Sequence, residues 1–217
     1  MIDAAIQKIQ EVGIIPVVRA ANADEARRAV DAIREGGIPI IEITMTVPGA
    51  PDIIRQLVRD FGSRVLTGAG TVTNAQQAEI CMDAGAQFLV SPGLSVPVVQ
   101  AAARRSILAL PGALTPTEVM AAMDAGARVI KVFPCSSAGG PKHIKALKAP
   151  FPEGRFVPTG GVNLATAPEY LAAGAFALGI GADLVDVKAL RRNEGSKVVE
   201  MAKALVAAVA QARTATS

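Results

Sequence analysis

The sequence predicts an α/β fold of the (β/α)8 (TIM) barrel type with an N-terminal helix, and three features carry that prediction. The chain has 217 residues, a length that one such barrel occupies as a single unit. Gly-containing turns recur ahead of short apolar runs. They are Gly36-Gly37 before Ile38-Pro39-Ile40-Ile41, Ala84-Gly85-Ala86 before Phe88-Leu89-Val90, Ala125-Gly126-Ala127 before Val129-Ile130, and Ala173-Gly174-Ala175 before Phe176-Ala177-Leu178. The glycines at 36, 85, 126 and 174 are separated by 49, 41 and 48 residues, roughly two βα units each. Between the runs lie Ala-rich amphipathic stretches.

Each junction reads as helix, turn, strand: a helix C-terminus favours a glycine with positive φ, and a buried parallel strand favours a short, nearly all-apolar run. The first strand is expected at residues 14–19. A helix over residues 23–33 follows, with Ala26, Ala29, Val30 and Ile33 at helical spacing and Asn22 placed to cap it. The next strands are expected at 38–44, 65–68, 88–91, 107–110, 129–133, 156–158 and 177–180. Eight strands alternating with helices favour a closed barrel. The alternative is an open doubly wound sheet, but the first turn, Arg19-Ala20-Ala21-Asn22, has no Gly-rich dinucleotide fingerprint.

With 51% hydrophobic and 19% charged residues and no linker-like stretch, residues 1–217 are expected to form one domain. A net charge of +3 and a pI near 9.1 suit an acidic partner. Only 3% of residues are aromatic and no basic tract is present, so small anionic molecules fit and nucleic acid does not. The first residues lack the pattern of a signal peptide and no apolar run is long enough to span a membrane, which points to the cytoplasm and to no membrane partner. Cys81 and Cys135 are too few for a disulfide framework and too isolated for a Cys-based metal site. Reduced thiols with packing roles are expected.

A barrel gathers its chemistry at the C-terminal ends of the strands. There the sequence places Arg19, Glu42 with Thr44, Thr71, Ser91-Pro92-Gly93, Pro111-Gly112, Lys131, Thr159-Gly160-Gly161 and Gly179-Ile180-Gly181. Lys131 interrupts the apolar run Val129-Ile130-Lys131-Val132-Phe133. Burial disfavours an ammonium and makes a lysine amine a nucleophile toward ketones; the plain alternative is a strand-end lysine paired with a carboxylate. Glu42, in Ile40-Ile41-Glu42-Ile43-Thr44, is either that partner or a group that moves protons. The glycines after the last two strands allow an anion to reach backbone N–H groups, where many barrels bind phosphate. His143, Lys142, Lys145 and Lys148 read as a solvated helix face. No His/Asp/Glu cluster suggests a metal site, which favours imine chemistry over a metal-dependent reaction.

Six ordered motifs then identify a resemblance: Glu42-Ile43-Thr44-Met45-Thr46-Val47-Pro48, Gly68-Ala69-Gly70-Thr71-Val72, Val90-Ser91-Pro92, Pro111-Gly112, Lys131-Val132-Phe133-Pro134 and Pro158-Thr159-Gly160-Gly161-Val162. From near Arg19 to Val185 the chain resembles the 2-keto-3-deoxy-6-phosphogluconate (KDPG) and 4-hydroxy-2-oxoglutarate (KHG) aldolases. The resemblance implies a class I aldolase barrel in which Lys131 forms the Schiff base and Glu42 is the general acid/base. Thr71, Pro92 and Thr159 would line the pyruvate end, Gly160, Gly161 and Gly181 would bind phosphate, and Arg19 would meet the substrate's anionic groups.

Two positions depart from the pattern. Thr46, in the substrate-binding set, stands where some members have arginine, and Ala182, in the phosphate-binding set, stands where many have serine. Both changes weaken anion binding and suit an enzyme that also accepts unphosphorylated KHG. The implied reaction cleaves KDPG to pyruvate and glyceraldehyde 3-phosphate, as in the Entner–Doudoroff pathway, or KHG to pyruvate and glyoxylate. No metal or organic cofactor is implied, the partners are 2-keto acids and aldehydes, and the expected assembly is a homotrimer. The competing readings are a phosphosugar isomerase or epimerase and a non-catalytic barrel assembly protein.

Overall fold

The computed structural model describes residues 1–214. Helix α1 (Ile2–Val12) precedes β1 (Ile14–Val18), and α2 (Ala23–Glu35), β2 (Ile40–Thr44), α3 (Ala50–Phe61), β3 (Leu66–Gly70) and α4 (Ala75–Asp83) follow. The alternation continues through β4 (Phe88–Val90), α5 (Val96–Arg104), β5 (Leu108–Leu110), β6 (Gly112–Ala113), α6 (Pro116–Asp124), β7 (Ile130–Val132) and α7 (Pro141–Lys148). It closes with β8 (Phe156–Pro158), α8 (Ala167–Ala172), β9 (Leu178–Ile180), α9 (Val187–Arg191) and α10 (Gly195–Thr214). The strands pair in parallel in the orders β5-β4-β3-β2-β1-β9 and β6-β7-β8. A bridge from Thr159 to Gly179 joins β8 to β9. Together β5 and β6 form one stave around Pro111, so eight staves close as a (β/α)8 barrel.

Pro111 accounts for the ninth segment. Without an N–H it cannot continue the ladder, but its carbonyl still accepts from Lys131 N at 3.0 Å. The expected strand at 65–68 instead runs to Gly70, because Gly68-Ala69-Gly70, which looks like a turn, lies inside the sheet. Side chains there would collide with neighbours: a Cβ on Gly68 would meet the Phe88 ring and one on Gly70 the Glu42 carboxylate. The recurrent turns are as expected at Gly85, Gly126 and Gly174, with φ of 97°, 97° and 93°, but in the first turn Gly37 takes that role at 93° while Gly36 stays helical. Asn22 caps α2 by accepting from Glu25 N at 2.9 Å.

The barrel strands are buried along their whole length, including the polar Glu42, Thr44, Thr67 and Lys131. Helix α1 buries Ala5, Ile6 and Ile9, and α10 packs on α2 and α8. No helix among the described residues is long and apolar enough to cross a membrane.

Candidate active site

Glu42 lies midway along β2, in register with Val17 of β1 and Gly68 of β3. Lys131 is the central residue of β7, in register with Gly112 and Val157. The two side chains retain only 2% and 4% of their accessible surface. The Lys131 amine sits over the Phe133 ring, 5.1 Å from its centroid. Glu42 Oε1 is buried and has no hydrogen-bond partner among the described residues. Burial raises the Glu42 pKa above 4.5, while the positive charges of Lys131 and Arg19 oppose that rise. A desolvated carboxyl with an open lone pair, within the field of a buried amine, can exchange a proton with a molecule bound between them.

The space for that carboxyl is made by Gly70, since any larger residue would overlap Oε1. Arg19, exposed at the end of β1, donates from Nη1 to Thr46 Oγ1 at 3.5 Å. Thr46 Oγ1 is 2.7 Å from Thr44 Oγ1, which donates to Val18 O at 3.2 Å. Thr71 follows β3 with φ of 58°, a strained conformation for a β-branched residue. The turn is fixed by Val72 N donating to Val90 O at 3.0 Å. Pro92 follows β4, and its carbonyl lies so near Gly112 that a side chain on that glycine would overlap it.

Thr159 is buried at the end of β8, its backbone carbonyl accepting from Cys135 N at 2.9 Å, and the Gly160 carbonyl accepts from Ser136 N at 3.1 Å. These bonds lock the 159–161 turn against the segment that follows Lys131. Gly160 and Gly161 have φ of 87° and 75°. Beyond β9, Gly181 O accepts from Leu184 N and Val185 N at 3.0 and 2.8 Å, which starts a helical turn. Among the described residues the N–H groups of Gly161, Ala182 and Asp183 have no acceptor within the chain. N–H groups in such an arrangement can donate to an anion.

Glu42 and Lys131 thus occupy barrel strands, and Arg19, Thr46, Thr71, Pro92, Thr159, Gly160, Gly161, Gly181 and Ala182 follow strand C-termini. Glu42, Lys131 and Arg19 are electrostatically linked, and Thr46 joins them through Arg19. Gly70 and Thr44 are equally part of the construction, although no residue beside them in sequence reveals why. His143 does not lie on a solvated face: it is half-buried, with Nε2 2.7 Å from Leu114 O, tying α7 to the loop after β6. Its partner lies 29 residues away, beyond the reach of local patterning. Burial pushes the Cys81 and Cys135 thiols up to about 11, so both stay protonated near neutral pH. Among the described residues no three His, Cys, Asp or Glu side chains are grouped to hold a metal ion.

A family model described as KDPG and KHG aldolase matches residues 5–201. The chain is 35% identical to the KHG/KDPG aldolase of Escherichia coli (strain K12) over 193 residues, 89% of this chain and 90% of that protein. It is 36% identical to the 2-dehydro-3-deoxy-phosphogluconate aldolase of Dickeya dadantii (strain 3937) over 194 residues, 89% of this chain and 91% of that one. The fold superposes on the crystal structure of a KDPG aldolase from Legionella pneumophila with pyruvate captured as a covalent carbinolamine. The TM-score is 0.86 at 30% identity, covering 92% of this chain and 97% of that chain.

Proposed function

The chain belongs to the KDPG and KHG aldolase family, and on that premise we propose that it is a class I aldolase whose imine forms on Lys131. The observation that carries this reading is the burial of Lys131 and Glu42 together in the barrel. The Lys131 amine adds to the C2 ketone of the substrate, and loss of water gives an iminium. That cation draws in the C3–C4 electron pair as the bond breaks, Glu42 takes the C4 hydroxyl proton, and an aldehyde leaves. The enamine is reprotonated at C3, and water releases pyruvate and the free amine. The pyruvate carbinolamine of the Legionella relative corresponds to the last covalent intermediate of such a sequence, formed when water adds to the pyruvate iminium.

Thr71, Pro92 and Thr159 line the pyruvate end in this reading. The N–H groups around Gly160, Gly161, Gly181 and Ala182 hold the distal phosphate, and Arg19 with Thr46 meets substrate oxygens. The substrates are KDPG and, with Thr46 where some members of the family have arginine and Ala182 where many have serine, also KHG. The whole chain acts as one domain in a cytoplasmic homotrimer and needs no added cofactor. Glu42→Gln tests the assignment: with KDPG, kcat is expected to fall by roughly 10²–10⁴ in a variant that keeps its circular dichroism. Near-wild-type turnover would remove Glu42 from proton transfer.

A further inference from the structure

Thr44, Thr46 and Arg19 form a chain of groups whose proton directions are fixed by its two ends. Arg19 Nη1 is 3.5 Å from Thr46 Oγ1, Thr46 Oγ1 is 2.7 Å from Thr44 Oγ1, and Thr44 Oγ1 is 3.2 Å from Val18 O. A carbonyl only accepts, a guanidinium only donates, and each threonine has one hydroxyl proton. Thr44 must give its proton to Val18, so Thr46 gives its proton to Thr44 and presents lone pairs to Arg19. The circuit returns to the backbone residue next to Arg19, so β2 holds the side chain of Arg19 against its own strand. Thr44 is fully buried and therefore a fixed anchor.

Arg19 is also not neutralised. Arg27, Arg105, Arg191 and Arg192 each lie within ion-pair distance of a carboxylate, whereas among the described residues no carboxylate does so for Arg19. Its charge is left for the site, where it reaches Glu42. We propose that Thr44 and Thr46 are positioning residues, a directional hydroxyl relay that holds the Arg19 guanidinium at the mouth of the barrel to grip an oxyanion of the substrate. A threonine at position 46 then supplies no charge of its own. It sets where the charge of Arg19 stands. This inference rests on the aldolase reading above.

The test compares wild type with Thr46→Val, which keeps the shape and removes the hydroxyl, and Thr46→Ser, which keeps the hydroxyl. With KDPG and KHG as substrates, Thr46→Val is expected to raise KM by roughly five- to tenfold, the net effect of one ordinary hydrogen bond, with kcat changed far less. The acidic limb of its kcat/KM profile should move to higher pH, because a released Arg19 no longer favours the ionised Glu42. Thr46→Ser should return both readouts most of the way to wild type, and Thr44→Val should behave like Thr46→Val. An unchanged KM and profile in Thr46→Val overturns the relay, as does a Thr46→Ser protein as impaired as Thr46→Val. Borohydride trapping with pyruvate runs alongside. An adduct on Lys131 with unmoved KM values rejects only the relay, whereas no adduct in wild type rejects the aldolase chemistry itself.

Discussion

Glu42 is held at odds with its solvation, and that sets its pH behaviour. Desolvation outweighs the pull of Lys131 and Arg19, so the folded carboxyl binds its proton more tightly than the unfolded one. The folded state is favoured on this account below pH 4.5, and the advantage is lost as pH rises through the higher folded pKa. Glu42→Gln should therefore match wild-type stability in acid and become progressively more stable than wild type as pH rises, which thermal melts across that range would record. A stability gap that does not change with pH would contradict the direction of the shift. Gly70→Ala should disturb the same carboxyl from below: its methyl would overlap Glu42 Oε1, and a loss of at least tenfold in kcat/KM is expected with the fold retained. Lys131 and Glu42 were legible in the sequence because a charge inside an apolar run has few reasons to be there. Thr44 and Gly70 are visible there too, one beside Glu42 and one in an apparent turn, but their roles are not, because Gly70 makes room for a carboxylate on another strand and Thr44 meets a hydroxyl in the turn after β2.

At the scale of elements, the helix–turn–strand junction is the best-written part of the sequence, since one glycine fixes each turn. Gly126 isolates the backbone contribution, with φ of 97° and open space around a built Cβ. Gly126→Ala should thus cost stability through conformation alone, about 1–3 kcal/mol, measurable by urea unfolding. A neutral effect would mean the turn relaxes into another form. Strand ends were read less well. Glycine in Gly68-Ala69-Gly70 signals a turn locally but serves close packing across the barrel, and the consequence of Pro111 depends on which neighbours need its missing N–H. The turn at Thr159-Gly160-Gly161 is legible as a glycine turn after a strand, yet its locking to Cys135 and Ser136 comes from tertiary hydrogen bonds.

For the whole molecule, the alternation of eight strands with helices favours closure, because the first turn, Arg19-Ala20-Ala21-Asn22, lacks the Gly-rich fingerprint of an open dinucleotide-binding sheet. What the surface of one chain does with its copies is not written in periodicity. The homotrimer proposed above would sediment at three times the 22.2 kDa chain mass, and a monomer at micromolar concentration would contradict it. The chemistry is tested most directly by sodium borohydride reduction in the presence of pyruvate, followed by peptide mass spectrometry. An imine on Lys131 places the reduced pyruvate adduct on the peptide that carries this residue, and Lys131→Ala should lose it while keeping its fold. Native protein that gives no adduct, or an adduct on another lysine, would contradict the assignment of Lys131 as the nucleophile.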